Sequence, residues 1–558
     1  MRTLAYGGFL ILLLAASIVL LRSIEPTREA PGPVPRASGA LSPSVSAVDL
    51  DRLQNASAPE LYDLGVQFMQ VWRPREATTL FERAVATDST FHAAWLKLVE
   101  CYAHPLVDDE PSLTRAVARA AATVPTPTDT AYVDGLRQLY ADHDYAAAIA
   151  TLAALVRSDD MPDDARYHLA VAYYQIGRLR DASKYLEPLL SEDATVAPVV
   201  ELYIRRAVAA RELERAADAA RELSRMYAEE PFPYVLSAQV ELARGNRDAG
   251  VEFCDNALDL DPKCVPAIMT RACLYADAGD FESARVSFEK LLLFDAPVLK
   301  SIGHEGVAFV DFLSGDFDAG TAAMDEATRL AMLAGANRRG LSLAYRHVEY
   351  LCQLGQPDAA DNVVARWITR FGEIPVQLAS ARIQIARGRN ANAHDTLARL
   401  GSEKDWLLWS RRLALDGTDL AARVEIGELR QREAVVLLEE EAKDATVVAA
   451  GAFERRTFLS GYAAFESGDA ESAAAAFTDV RRRLYGVEFP YHGDPVVYVQ
   501  SVFFLAETDF ARGNQVAARA SYQSFLGYWG DSTWKLEAVE RAVRKLEALG
   551  GALAAPQG

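Results

Sequence analysis

Nine glycines punctuate this chain from residue 177 onward, and each has a small residue five positions after it. The pairs are Gly177 and Ala182, Gly245 and Gly250, Gly279 and Ala284, Gly315 and Gly320, Gly355 and Ala360, Gly388 and Ala393, Gly417 and Ala422, Gly468 and Ala473, and Gly513 and Ala518. Gly245 and Gly279 stand 34 residues apart, and Gly177 and Gly245 stand 68 apart, with a glycine-less unit between them that Glu214 and Ala219 mark. Gly417 and Gly468 are 51 apart, which leaves room for an additional helix around Glu433–Lys443. A period of this length means one small supersecondary unit per repeat, unable to bury its apolar face until neighbours stack on it. The core of such an array grows linearly, so a long chain need not divide into several globular domains.

The stretch Ile268–Leu291, IMTRACLYADAGDFESARVSFEKL, shows what one unit does. Ile268, Ala272 and Tyr275 share one helical face; Ala284, Phe288 and Leu291 share another. Gly279 supplies the permissive backbone of the turn between them. The small Ala272 and Ala284 let the two backbones approach, so each helix buries its stripe against the other.

This hairpin of about 34 residues resembles a tetratricopeptide repeat (TPR). Earlier units fit the same template: Leu61, Leu64, Gly65, Phe68, Ala77, Phe81 and Ala84; then Trp95, Leu98 and Tyr102, followed by an irregular loop at His104–Pro111; then Leu139, Tyr145, Ala148 and Leu152; then Tyr173, Gly177, Ala182 and Leu186. Pro231 and Pro262 stand where the family ends a repeat, as a residue that cannot continue a helix. The resemblance implies an all-α superhelical solenoid of about 13 units across residues 59–549, closed by a capping helix at Ser532–Leu549, with 550–558 as a tail. The segment GNQVAARASYQSFLGYW also resembles the repeat domains attached to bacterial serine/threonine kinases and transcriptional regulators. The chain departs from those proteins in having no Gly-rich phosphate loop, no HRD-type or DFG-type segment and no winged-helix region, so only their interaction role is implied.

Ahead of the array, residues 1–22 contain the uncharged apolar run Leu4–Leu21, a helix of roughly 27 Å if formed. No small-x-small cleavage site and no cysteine follow it, so an uncleaved membrane anchor is expected, with a cleaved signal sequence as the alternative. Residues 23–58 are rich in Pro, Ala and Ser and read as a tether. The short N-terminus is expected to stay in the cytoplasm and the bulk to be exported; Arg22, Arg28 and Arg36 on the downstream side leave a cytoplasmic-facing sensor as the alternative.

Nothing in the sequence specifies catalysis, a cofactor or a metal. The eight histidines form no HExxH, no serine sits in GxSxG, and the isolated turn glycines lie between helices rather than after a strand. The net charge of −20 excludes a basic nucleic-acid face. Five cysteines without a CxxC pair do not make a disulfide framework, although Cys254, Cys264 and Cys273 lie near one another in sequence. No small-molecule substrate is evident. A site assembled from distant residues would escape this search, so an enzyme with an unrecognised pocket stays as a further alternative.

What the resemblance implies instead is a protein or peptide partner held in a concave groove. In the family the first helix of each pair lines that groove at positions spaced four and then three residues apart. Here these give Tyr167, Val171 and Tyr174; Glu305, Phe309 and Phe312; Phe458, Tyr462 and Phe465; and Phe503, Glu507 and Phe510, joined by Tyr62, Tyr140 and Tyr345. The aromatic members are the expected partner-binding residues. A slip of one residue turns every assignment by about 100° and makes the same side chains inter-helix core. In the Ile268–Leu291 unit the inward residues are Met269, Cys273 and Ala276, smaller than their counterparts, so contacts are expected on either side of it. The Lys/Asn clamp by which chaperone-binding members of the family hold a carboxylate is missing, which sets aside acidic C-terminal tails as ligands.

Overall fold

The structure is a computed structural model and describes residues 55–158, 164–190, 197–400, 452–481 and 493–550. These hold twenty-five α-helices, and no strand occurs among them. The first four pairs are α1 (Ala58–Gln70) with α2 (Pro74–Thr87), α3 (His92–Ala103) with α4 (Glu110–Ala122), α5 (Pro127–Leu136) with α6 (Tyr145–Val156), and α7 (Asp164–Gln175) with α8 (Leu179–Leu190). Next come α9 (Ala197–Ala209) with α10 (Leu213–Met226), α11 (Pro231–Arg244) with α12 (Arg247–Leu260), α13 (Val265–Asp277) with α14 (Phe281–Glu289), and α15 (Pro297–Ser314) with α16 (Phe317–Leu333). The remainder are α17 (Asn337–Gln353) with α18 (Pro357–Val363), α19 (Glu373–Ala386) with α20 (Asn390–Leu400), α21 (Ala452–Glu466) with α22 (Ala470–Arg481), and α23 (Pro495–Ala511) with α24 (Gln515–Trp529), followed by α25 (Glu537–Ala548). A reciprocal capping box between Ser57 and Glu60 starts α1 at Ala58.

The turn inside each pair has one left-handed residue, and eight of the recurring glycines occupy it with φ between 70° and 86°. At Gly245, Gly279 and Gly355 a Cβ would meet nothing within 4 Å, so the backbone angle rather than crowding selects glycine there. The small residue five positions on has the opposite reason. A Cβ on Gly250 would lie 2.7 Å from Leu274 Cδ2, so close helix approach selects it.

Three early turns put a bulky residue at the left-handed position: Trp72, His143 and Arg211, with φ of 57°, 52° and 60°. Each is followed five residues later by a fully buried alanine, Ala77, Ala148 and Ala216. The glycine-less fifth unit is therefore marked by Arg211 and Ala216, not by Glu214 and Ala219.

The array does not run out as an open spring. Residues of α11 to α17 and residues of α23 to α25 share one apolar core. Trp529 Nε1 donates to the Phe312 carbonyl at 3.0 Å, Thr533 N to the Gly315 carbonyl at 3.0 Å, and Trp534 Nε1 to Asp318 Oδ1 at 2.8 Å. Arg455 of α21 reaches Glu349 of α17 at 3.0 Å. The last units thus return onto the eighth and ninth pairs. The expected capping helix begins at Glu537, because Ser532–Trp534 are spent on this contact.

No described helix is long and apolar enough to cross a membrane. The expected anchor at 1–22, most of the tether, the Gly417 and Ala422 pair and the additional helix near Glu433–Lys443 lie outside the described residues. Cys254, Cys264 and Cys273 are buried and form no disulfide.

Candidate functional site

The first superhelical turn encloses a pocket of about 750 Å³. Its wall comes mainly from the first helices of successive pairs: Met69 of α1, Glu100 of α3, Tyr140 of the π turn after α5, Tyr167, Val171 and Tyr174 of α7, Glu201 and Arg205 of α9, Phe232 and Gln239 of α11, and Met269 of α13. Tyr167, Val171 and Tyr174 form one stripe along α7 because i, i+4 and i+7 share a helix face. Cys273 and Ala276, beyond Met269 in the Ile268–Leu291 unit, are buried in the core.

The turn between α1 and α2 closes this ring across the chain. Trp72 Nε1 donates to Glu201 Oε2 at 2.6 Å, and its ring stacks on Phe232 at 5.1 Å and meets Tyr227 edge-on at 5.6 Å. Arg73 lies 3.7 Å from Glu230. A tryptophan held at positive φ costs about 1–3 kcal/mol, and these contacts over-determine it. His143, the second bulky left-handed residue, also lines the pocket, and so does His104. Burial, reinforced by Arg205 for His104 and by Arg338 for His143, pushes both imidazoles down to about 4.

Below the aromatic wall lies an ionic group that no local motif announces. Lys97 Nζ sits 2.9 Å from Glu100 Oε1 and 2.7 Å from Asp164 Oδ2, and His168 Nε2 is 3.6 Å from Glu100. The Tyr140 hydroxyl pairs with His168 Nδ1 at 2.9 Å. Burial raises the Glu100 carboxyl, but Lys97 and His168 outweigh it and hold it at about 2. Glu100, Asp164 and His168 offer ligand atoms within 4.8 Å of one another, as a metal site would. The Lys97 ammonium sits between the two carboxylates and offsets one of their two charges. Glu201 is matched in the same way by Arg205 at 2.7 Å. The pocket's own lining pairs its aromatic faces with four acids, Glu76, Glu100, Glu201 and Asp261, and four bases, Arg73, Arg75, Arg205 and Lys263.

The other sequence-predicted site residues are not brought to this pocket. Phe309 and Phe312 are buried in the shared core, where Phe312 meets Tyr350 edge-on at 4.9 Å. Tyr345 is buried with its hydroxyl on the Pro375 carbonyl. Phe458 stacks on Tyr462 at 6.3 Å, and both pack with Phe465 around Phe504. Phe503 is buried against Phe525. Glu507 is buried and takes the Tyr522 hydroxyl, Arg541 and Lys545. Phe510 alone of this group is exposed, at 37 %, with Lys545 Nζ 4.2 Å above its ring. Phe309, Phe312, Tyr345, Phe458 and Phe503 therefore serve as core, Tyr462 and Phe465 are half-buried, and Phe510 stays exposed beneath Lys545.

Sequence reading missed Trp72, His104, His143 and Phe232. His104 and His143 come from two units and reach one pocket only through the superhelix. The one available signal was the small residue five positions ahead: Ala77 and Ala148 point back to Trp72 and His143 as turn residues.

Residues 139–203, which carry the Tyr140 to Glu201 wall, match the model of the tetratricopeptide repeat family. No curated protein matches the chain. Among solved structures, yeast Tom70 is similar at 15% identity and a TM-score of 0.35, over 84% of this chain and 97% of its own. Cut9 in the APC/C hetero-tetramer Cut9–Hcn1 is similar at 11% identity and a TM-score of 0.29, over 88% and 98%. The family match covers residues 139–203, and the repeated hairpin geometry carries the same kind of helical repeat through the other described residues.

Proposed function

We propose that this chain is a non-enzymatic interaction scaffold that grips an extended segment of a partner protein in the pocket of its first superhelical turn. The observation that carries the reading is the Tyr140, Tyr167, Tyr174, Trp72 and Phe232 wall around a cavity of about 750 Å³ whose acids are matched by bases of the same wall. Such a lining gains affinity from aromatic burial and fixes orientation with a few polar groups. The apolar run Leu4–Leu21 supports a second element of the proposal: the scaffold is held at a membrane, with the array on the exported side.

A photo-crosslinking residue in place of Tyr174, used in native membranes, tests the pocket. The expected result is adducts confined to one short segment of one partner, absent when the same residue replaces the exposed Val516. Identical adducts from both positions would overturn the reading. Tyr174→Ala should weaken the partner by about tenfold, the cost of about 1.4 kcal/mol for a truncated aromatic contact. A C-terminal reporter active only outside the cytoplasm tests the orientation; silence at normal expression places the array on the cytoplasmic face.

A further inference from the structure

We infer that residues 25–36 of this same chain, EPTREAPGPVPR, fill the pocket when no partner does, so that the tether is a built-in competitor. The inference rests on the peptide-binding reading of the pocket and names the chemistry of its occupant.

Three observations point there. The first is the wall itself. Aromatic side chains line the pocket together with Pro74, Pro105, Pro198, Pro231 and Pro266, a lining that suits a proline-rich strand. Prolines are already restricted in φ, so such a strand loses little conformational freedom on docking. Pro26, Pro31, Pro33 and Pro35 make residues 25–36 the densest proline stretch of the chain.

The second observation is charge. Glu25 and Glu29 are balanced by Arg28 and Arg36 within the segment. The pocket's lining is balanced in the same sense, four acids against four bases, with ion pairs such as Arg205 on Glu201. A strongly charged ligand would have to break one of these pairs, whereas this segment would not. The wall also holds an acceptor in waiting. Gln239 lines the pocket at 5 % exposure, and its amide oxygen has no hydrogen-bond partner among the described residues. An N–H of Gly32, Val34 or Arg36 would satisfy it, and a buried unpaired carbonyl is costly to leave.

The third is reach. Twenty residues separate Pro35 from Asn55, enough to span up to about 66 Å, while α1 is only about 20 Å long. Met69 and Trp72, at the far end of α1, already line the pocket. A tethered strand at this distance has an effective concentration in the millimolar range, so even a weak site is well occupied. A partner must then displace the chain's own segment.

The test uses the full chain in detergent micelles and a labelled synthetic peptide of residues 25–36 as probe. Replacing Pro31, Pro33 and Pro35 together by Ser removes the internal competitor without touching the helical array. The expected result is that the variant binds the probe about tenfold more tightly than the natural chain, and that Tyr174→Ala added to it reverses the gain. A photo-crosslinking residue at Val34 should give adducts within one chain, in α7, α9 or α11. Equal probe affinity for both chains overturns the inference. So do Val34 adducts to a second copy, to lipid, or to helices outside the pocket. If these fail while the Tyr174 crosslink to a partner persists, self-occupancy falls and the peptide-binding reading stands. If the Tyr174 crosslink fails as well, both fall.

Discussion

The first superhelical turn and the C-terminal third use the same inner stripe of the same repeat and end in different states. In α7 the stripe Tyr167, Val171 and Tyr174 faces a pocket. In α15 and α23 the equivalent Phe309, Phe312 and Phe503 are core. The difference lies in what lies across from the stripe. In the first turn the α1–α2 turn closes the ring through Trp72 and Arg73, which leaves space inside. In the C-terminal third whole helices come back, and Trp529 and Trp534 fill what would have been groove. A helical repeat therefore does not by itself determine a binding face; the path of later units does.

The comparison breaks most visibly if the C-terminal closure is not what stabilises that region. Trp529 is fully buried, donates to the Phe312 carbonyl and packs edge-on against Phe317. Trp529→Ala should cost about 3–5 kcal/mol. Hydrogen exchange should then show α15, α16 and α23 to α25 losing protection together while α7 and α9 keep theirs. Equal loss in α7 would mean that the two regions unfold as one unit. Next in size is the ionic bridge between α17, α19 and α21. Glu349 is buried and joins Arg382 at 2.8 Å to Arg455 at 3.0 Å. Glu349→Gln removes the carboxylate charge that two buried guanidinium groups share and should cost about 3 kcal/mol by denaturant unfolding. A cost below about 1 kcal/mol would show that the returning helices hold without this bridge.

Acid should separate the regions in the other direction. His104 and His143, both at the pocket, are pushed down to about 4 by burial. Their folded values lie below the unfolded value near 6.5, so the unfolded chain binds more protons between those limits. The stability they contribute is present above about pH 6.5 and lost as the pH falls through 4. Glu100, held at about 2, adds a loss that begins as the pH falls through the ordinary carboxylate value near 4.5 and is complete near 2. The C-terminal third has His347, also at about 4, as its counterpart. At pH 5 the first turn should lose on the order of 2 kcal/mol relative to pH 7, more than the C-terminal third. Exchange rates in α3, α5 and α7 against those in α15 and α23 read this difference, and equal losses would contradict it.

How far these features were legible in the sequence follows from range. The hairpins were legible because a left-handed glycine and a small residue five later are local necessities, as Gly279 and Ala284 show. The stripe on α7 was legible because helix periodicity is local too. The burial of Phe312 was not, because Trp529 lies 217 residues away. The Lys97, Glu100, Asp164 and His168 group was equally invisible, since its members come from two units that touch only after the superhelix forms. Trp72 was hidden by its own chemistry: a tryptophan does not signal a left-handed turn, and only Glu201 and Phe232 explain why one is tolerated.

The smallest expected effect tests that last point. Arg211 occupies the same left-handed turn position as Trp72, at φ 60°, but its visible return is one exposed hydrogen bond of 3.3 Å to the Ala243 carbonyl. A non-glycine residue in this conformation costs roughly 1–2 kcal/mol, and an exposed hydrogen bond returns about 0.5–1. The difference of about 0.5–1 kcal/mol is largely cancelled by the roughly 0.4–1 kcal/mol of extra freedom that glycine gives the unfolded state, so Arg211→Gly should change stability by less than about 0.5 kcal/mol. Trp72→Gly relieves the same strain but gives up the Glu201 hydrogen bond and the stack on Phe232, so it should destabilise the first turn and weaken the pocket. Little change at Arg211 beside a clear loss at Trp72, measured by thermal unfolding, would show that the strain at Trp72 is retained for the ring it closes. Equally small changes at both would reduce Trp72 to an ordinary turn residue.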